Sequence, residues 1–576
     1  MQSKTKLLLW ITALGLLILG LGVGGLVLVL SDMPQGMLPS ESRELHIRLA
    51  GPIPDGPGEG EFTLDPERFT VYVSDYARAI RTAAQDDSIG SLRLELDFPS
   101  FSMAAAQEIR AAVAQFDASE KGCVAWAKAY DNLSYYVASA CSEVSIHPQG
   151  TPMVIGLKVK TRHFAKALEW LGLEPDFERI GDYKSAPEAY TRSQPSDPTK
   201  EMMESLLDDL ASRFAQDIAE SRGLSVEQVQ ELIDDPPVTA ATAVDRGLVD
   251  SLRHLDDLEG LEEEHIRPYL TRLDRRNRGF RPQVAILHVQ GTIVDGRSDS
   301  AGFGGSDVSG DRTIVGYLEE LRDDPSVAAI VLRVNSPGGS AMASDVIWRA
   351  VKQADGAKPV VVSMGSVAAS GGYYISAPAR RIFVQPGTIT GSIGIFAGKV
   401  SAAGLYEKLG ITSWTSERGA MAGLYDSERS FSEAERTKIK ERIGDFYDTF
   451  LEKAAQGREM TPESIHEVAQ GRVWTGQQAI RIGLADEIGG LEEAIAWAAD
   501  QAGLEPDSYG RMLRPAQASF FEVLLSEFEP DADAMAHLAQ LGGDEVRTAL
   551  DAWTGLALIL ERDGLAAALP FSVQIR

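Results

Sequence analysis

The chain has 576 residues, of which 44% are hydrophobic and 24% charged, and its formal net charge is −29. That length exceeds what a single core accommodates and implies two or three domains. The acidity excludes a nucleic-acid partner, which needs clustered Lys and Arg, and reads instead as a solvated surface.

Leu7 to Leu30 carries no charged residue and is long enough to span a bilayer as a helix. Lys4 and Lys6 precede it, and Asp32, Glu41 and Glu44 follow. The positive-inside rule then keeps the N-terminus in the cytoplasm and exports the rest. A cleaved signal peptide is the competing reading, but its apolar region is usually shorter, and no A-x-A-like site follows Leu30, where the chain reads SDMPQG. Residues 1–31 are therefore expected to form a cytoplasmic N-terminus and an uncleaved transmembrane anchor.

One unit is then written twice. ELHIRLAGPIPDG (Glu44 to Gly56) matches VAILHVQGTIVDG (Val284 to Gly296), with Gly51, Ile53, Asp55 and Gly56 falling on Gly291, Ile293, Asp295 and Gly296. Tyr135-Tyr136 falls on Tyr373-Tyr374, and VTAATAVDRGLVD (Val238 to Asp250) falls on WTGQQAIRIGLAD (Trp474 to Asp486). Three matches in one order at nearly constant offset indicate tandem duplication of a whole domain. The expected units are residues 40–255 and 281–505, with a charged helical connector at 256–280 and a separate tail at 506–576.

The first unit holds both cysteines, Cys123 and Cys141. No CxxC or Cys/His cluster is present, so no zinc site is expected. Cys123 opens a strand and Cys141 follows the helix running back from it, so the two can approach. A disulfide suits an exported domain; two free thiols is the alternative.

In the second unit, Val284 to Val289, Ala328 to Val334, Val360 to Met364 and Arg381 to Val384 read as buried strands. Ile314 to Arg322, Met342 to Gln353 and Ser370 to Ala377 read as helices. This alternation implies right-handed crossovers and an α/β layer fold.

Two segments carry chemistry. In RVNSPGGS (Arg333 to Ser340) a strand is expected to end at Val334, followed by a turn at Pro337-Gly338-Gly339. Glycines there let backbone N–H groups face a cleft and hold an oxyanion. In SMGSVAASGGYYIS (Ser363 to Ser376), Ser370 enters a helix after a strand, among small residues. The hydroxyl is then exposed as in a nucleophile elbow, although G-x-S-x-G itself is absent. Taken alone, each segment is also an ordinary turn or N-cap.

In that order the two motifs resemble the crotonase/Clp protease superfamily. With QGTIVDG, TGSIGIF and, in the first unit, GDYKSAPEAYTR, the chain closely resembles the long, duplicated signal peptide peptidase A family over essentially the whole exported part. The resemblance implies two tandem Clp/crotonase-like α/β domains of ββα type. It implies Ser370 as nucleophile, Lys184 as general base, Ser392 as the serine orienting the lysine amine, and Gly339 and Gly371 as oxyanion donors, with Gly338 in the same turn. It also implies a homotetramer on the outer face of the cytoplasmic membrane that cuts signal peptides and other hydrophobic peptides.

A lysine can serve as base only if burial depresses its pKa. No Walker A motif is present, so ATP independence is expected, and neither a cofactor nor a metal is called for. No histidine lies between Ser370 and His466, which argues against a Ser-His-Asp arrangement. Alignment on the paired tyrosines puts Asn132 where Ser370 sits and Pro99-Ser100-Phe101-Ser102 near the glycine turn. The segment corresponding to GDYKSAP is GAMAGLYD (Gly419 to Asp426), which has no lysine. Each unit thus holds half of a dyad, and a complete site requires both. Two other classes share parts of the pattern: an inactive envelope scaffold and an acyl-CoA enzyme of the crotonase group. Intact Ser370 and Lys184 speak against the first, and export away from acyl-CoA against the second.

Overall fold

The computed structural model describes residues 42–58, 69–258, 262–276, 282–298, 307–506 and 508–516, and the backbone of 565–568. Leu7 to Leu30 lies outside the described residues. Among the described residues no helix is long and apolar enough to cross a membrane.

The first repeat contributes β1 (Arg43–Pro52), β2 (Ile89–Ser100), β3 (Gly122–Tyr130), β4 (Glu143–Pro152), β5 (Glu174–Ile180), β6 (Ser251–Leu252) and β7 (Glu263–His265). The second contributes β8 (Gln283–Gln290), β9 (Thr292–Val294), β10 (Val308–Gly310), β11 (Val327–Ser336), β12 (Gly338–Ser340), β13 (Val360–Ala369), β14 (Arg381–Val384), β15 (Ile389–Gly391), β16 (Ile395–Ser401), β17 (Val473–Thr475) and β18 (Glu487–Ile488). β19 (Gly510–Arg514) and β20 (Leu565–Ala568) follow.

The first sheet runs β6-β4-β3-β2-β1-β7, parallel throughout. Leu45, Ile47 and Leu49 on β1 and Leu92, Leu94 and Leu96 on β2 alternate with polar residues and point into one core. In the second sheet, β17-β15-β13-β11-β8-β19 with β14 and β18 branching from β13, the central strands β8, β11 and β13 are apolar on both faces. Leu287, Leu332 and Val362 join one core, while Ile286, Val331 and Val361 pack with Ile495 and Ala498 of the helix Leu491–Gln501. Their unbroken apolar runs reflect burial on two sides.

The observed elements differ from the expected ones in several places, β13 for one continuing to Ala369 beyond the expected Met364. β11 continues to Ser336, and Gly338–Ser340 is a short strand rather than only a turn, because Gly339 pairs with Ile293 of β9. The expected connector contributes β7, which pairs with β1, so part of it completes the first sheet. Of the tail's described residues, β19 pairs with β8 and β20 joins a third sheet.

That third sheet, β10-β9-β12-β20-β16-β5, joins the repeats. β5 of the first runs antiparallel to β16 of the second, from Glu174↔Ser401 to Ile180↔Ile395. A second junction is polar and buried. Arg333, 1% exposed, donates to Asp55 (3.0 and 2.5 Å), to Glu108 (2.8 Å) and to the Ser363 hydroxyl (2.8 Å). Burial alone would depress the guanidinium's pKa; the two first-repeat carboxylates outweigh it and hold it above its usual value. Cys123 and Cys141, both buried, form a disulfide with Cα atoms 5.0 Å apart.

Candidate active site

Ser370 sits between β13 and the helix Gly371–Ser376, with φ 55° and ψ −114°. For a residue with a Cβ this is a strained conformation, of the kind held in place only by its surroundings. The Ser370 N–H donates to the Gly391 carbonyl (2.8 Å), and the Ser370 carbonyl accepts from Tyr374 N–H (2.8 Å). The small residues around it are spatially required. A Cβ on Gly371 would lie 2.6 Å from Ser344 Oγ and 3.1 Å from both Gly338 Cα and Gly339 N. Side chains there would push the RVNSPGGS strand away from the serine. Gly338 adopts φ 96°, and its N–H donates to Ser336 Oγ at 3.1 Å, so this glycine shapes the approach.

Lys184 arrives from the first repeat, four residues beyond β5. Its side chain is fully buried, and Nζ lies within hydrogen-bond distance of Ser370 Oγ (2.8 Å), Ser392 Oγ (3.0 Å) and the Ser392 carbonyl (3.1 Å). Ser392, also buried and at φ 52°, is fixed by its own N–H to the Arg472 carbonyl (2.7 Å). Burial pushes the Lys184 amine well below the usual lysine pKa. The amine is thereby disposed to be neutral and to accept a proton.

The lysine loop is held by residues that sequence reasoning missed. Arg179 donates to the Lys184 carbonyl and to Glu188, both at 2.9 Å. Glu188 also accepts from Ser196 N–H (2.9 Å) and the Thr199 hydroxyl (3.0 Å). Burial would raise its carboxyl pKa, but these donors and Arg179 hold it below the usual glutamate range. From the second repeat, Gly471 (φ 78°) abuts the lysine backbone: a Cβ there would stand 2.5 Å from Lys184 N, Cα and Cβ. The Tyr183 N–H donates to the neighbouring Gln470 carbonyl at 3.0 Å. A signal for the Asp55–Arg333 pair lay in the repeated aspartate of GPIPDG and GTIVDG. Its second copy, Asp295, accepts from Ser340 Oγ at 2.7 Å, so both copies grip the glycine-motif segment.

The first repeat's counterpart has a different role. Asn132, 1% exposed, spans to its neighbouring loop, accepting from Ile155 and Gly156 N–H (2.9 and 3.1 Å) and donating to the Gly156 carbonyl (2.9 Å). The helix cap is shared instead: Ser102 caps Met103–Asp117 through Ala105 N–H as Ser340 caps Ala341–Asp355 through Ala343 N–H. Among the described residues no histidine is hydrogen-bonded to Ser370. One group of side chains has metal-ligand character, His46, Glu263 and His265, whose ligand atoms lie within 4.8 Å of one another at the far edge of the first sheet. Glu263 is also paired with Arg93 there, and the group is not part of the Ser370 site.

The sequence model of peptidase family S49 matches residues 115–265 and 352–505, one stretch in each repeat. The chain is 32% identical over 438 residues to the chloroplastic serine protease SPPA of Arabidopsis thaliana, covering 73% of this chain and 64% of that protein. It is 32% identical over 458 residues to Protease 4 of Haemophilus influenzae, covering 75% and 72%. It is 34% identical over 216 residues to a putative signal peptide peptidase SppA of Enterococcus faecium, covering 37% and 62%. The chain is a mixed α/β protein with a duplicated S49 region, and it belongs to peptidase family S49 as an SppA-type protease.

Proposed function

We propose that the protein is a serine endopeptidase in which Ser370 is the nucleophile and Lys184 the general base. The observation that carries this reading is the fully buried amine of Lys184, 2.8 Å from Ser370 Oγ and without a carboxylate partner among its hydrogen bonds. The neutral amine takes the hydroxyl proton as Oγ attacks a peptide carbonyl. Gly339 and Gly371 N–H groups stabilise the tetrahedral oxyanion. The ammonium then protonates the leaving amine, and water, activated by the same lysine, hydrolyses the acyl ester. Ser392 accepts hydrogen bonds from the amine and keeps it aimed at Ser370.

The substrates in this reading are extended hydrophobic peptides, cleaved signal peptides among them, cut without ATP. Residues 7–30 anchor the chain in the cytoplasmic membrane, with the body on its outer face; the uncharged run after Lys4 and Lys6 supports this. The Cys123–Cys141 bridge agrees with an oxidising compartment. The exposed Trp170, Leu409 and Trp414 are apolar surface suited to a homotetramer contact.

Fluorophosphonate labelling tests the reading. Wild type should be labelled, Ser370→Ala should not, and Lys184→Ala should label far more slowly. Equal labelling of all three would end it. Carbonate extraction and protease treatment of spheroplasts test the topology; a mature soluble chain beginning near Ser31 would refute the anchor.

A further inference from the structure

The pairing of β7 with β1 puts His265 directly opposite His46 at the edge of the first sheet, with the two rings 5.2 Å apart between centroids. Glu263, two positions back along β7, shares that face. His46 Nδ1 lies 3.2 Å from Glu263 Oε2, and His265 Nε2 lies 3.9 Å from the same oxygen. One ligand atom from each of the three residues falls within 4.8 Å of the others. Tetrahedral zinc, with bonds of about 2.0–2.2 Å, holds its ligand atoms roughly 3.4 Å apart. The His265 side chain is 63% exposed, so a small turn of its ring closes the set.

We infer that His46, Glu263 and His265 form a site for a divalent transition-metal ion, zinc in the first place, which clips the edge strand β7 to β1. Two imidazoles and a carboxylate suit zinc and leave its fourth position to water. Two surrounding contacts favour the same reading. Arg93, 3% exposed, grips Glu263 through Oε1 and so leaves Oε2 to the histidines. Its own charge is matched by Glu44 at 3.1 Å, so it does not bar a cation. Behind His46, Glu95 Oε2 stands 3.3 Å from Nε2. A carboxylate in that place fixes the tautomer and aim of a metal-bound histidine. A neutral imidazole has one N–H and one lone pair. With the N–H given to Glu95, the Nδ1 lone pair faces Glu263 Oε2, and two acceptors 3.2 Å apart call for a cation between them. The expectation of no zinc site rested on cysteine spacing. These ligands escape such a pattern because His46 and Glu263 are 217 positions apart and meet only through the β1·β7 pairing.

The probe is Zn²⁺ alone, titrated by calorimetry into the EDTA-treated full chain, with the melting temperature followed alongside. Wild type should take up one equivalent that His265→Ala lacks, and zinc should raise the melting temperature of wild type in a concentration-dependent way but not that of the variant. His265 is exposed at a sheet edge, so its replacement leaves the fold intact. Glu95→Gln keeps all three ligands and removes only the carboxylate behind His46. It should weaken zinc binding by about tenfold to a hundredfold. Equal uptake and equal melting shifts in wild type and both variants would mean that zinc sits adventitiously on other surface groups, and would overturn the inference. No uptake at all would leave a proton, not a metal, between His46 and its two carboxylates, and would overturn it equally.

Discussion

Lys184 Nζ and Ser370 Oγ are 2.8 Å apart, although 186 positions separate them in sequence and each belongs to a different repeat. The pair forms within a single chain, with the β5·β16 pairing and the Arg333 cluster holding the two repeats in place. Peptide hydrolysis should therefore drop by about three orders of magnitude or more in Ser370→Ala and in Lys184→Ala, and the double variant should lose little beyond either. Lys184→Arg should not recover activity, because guanidinium stays protonated. Steady-state turnover, with circular dichroism to confirm folding, checks this; additive losses would show that the two do not act as a unit.

The buried amine also sets a pH dependence. Its folded pKa is lowered, so between that value and the unfolded lysine value near ~10.4 the unfolded chain binds one more proton than the folded one. Stability consequently rises with pH across that window, by up to about 1.4 kcal/mol per pH unit from this group, and the cost saturates below the folded pKa. Activity should rise over the same lowered pKa, well below the ordinary lysine range. Lys184→Met should be more stable than wild type near pH 7, with the gap narrowing by pH 9; urea midpoints at the two pH values measure it. A constant gap would mean the amine is charged in the fold.

Gly471→Ala tests the packing that holds the lysine. Its φ of 78° disfavours a side chain, and the added Cβ would collide with the Lys184 backbone. We expect kcat to fall at least tenfold, in line with displacement of the base by about 1 Å, with smaller change in KM. Wild-type kcat would mean that this loop does not position Lys184.

Removing the guanidinium in Arg333→Met leaves Asp55 and Glu108 buried without their shared cation. Breaking a buried pair in this way costs about 3–5 kcal/mol. Urea denaturation should show that loss, and activity should fall with it because the same contact docks the repeats. An unshifted midpoint would place the docking energy elsewhere.

The Cys123–Cys141 bridge spans 18 positions. A loop of that size stabilises by about 3 kcal/mol in the chain-entropy account, so Cys123→Ala/Cys141→Ala should lose roughly that much. Thiol titration of the unfolded, non-reduced protein should find no free thiol; two would remove the bridge.

Period and apolar runs located four of the second repeat's strands, β8, β11, β13 and β14, although β13 runs on to Ala369, beyond the expected Met364. Arg381 to Val384 coincides with β14, and Val284 to Val289 lies one residue inside β8 at each end. Ser370, Lys184 and Ser392 were legible because their segments carry specific motifs, and the structure brings all three within hydrogen-bond reach. Sequence could not show that Lys184 is buried, since its cover comes from Gly471 and Ser392 in the other repeat. Arg179 and Glu188 were missed because an Arg/Glu pair nine positions apart looks like any surface pair. Gly338–Ser340 read as a turn because its strand partners, Ile293 and residues 566–568, are distant in sequence.

Asn132 gives the duplication a historical direction. It is no vacant serine position: its amide ties down Ile155 and Gly156, while Ser100 and Phe101 stand where the other repeat has Gly338 and Gly339. In the second repeat, Gly419 to Asp426 is a turn-rich and largely solvent-facing segment. In the proposed mechanism, rebuilding a second dyad would require a serine, a glycine pair and a buried lysine together, and replacing Asn132 alone would forfeit its bonds to Ile155 and Gly156 and gain no turnover. In that reading divergence after the copying event works as a ratchet: two once-equivalent halves have become complements in one site, and no single substitution restores a second one.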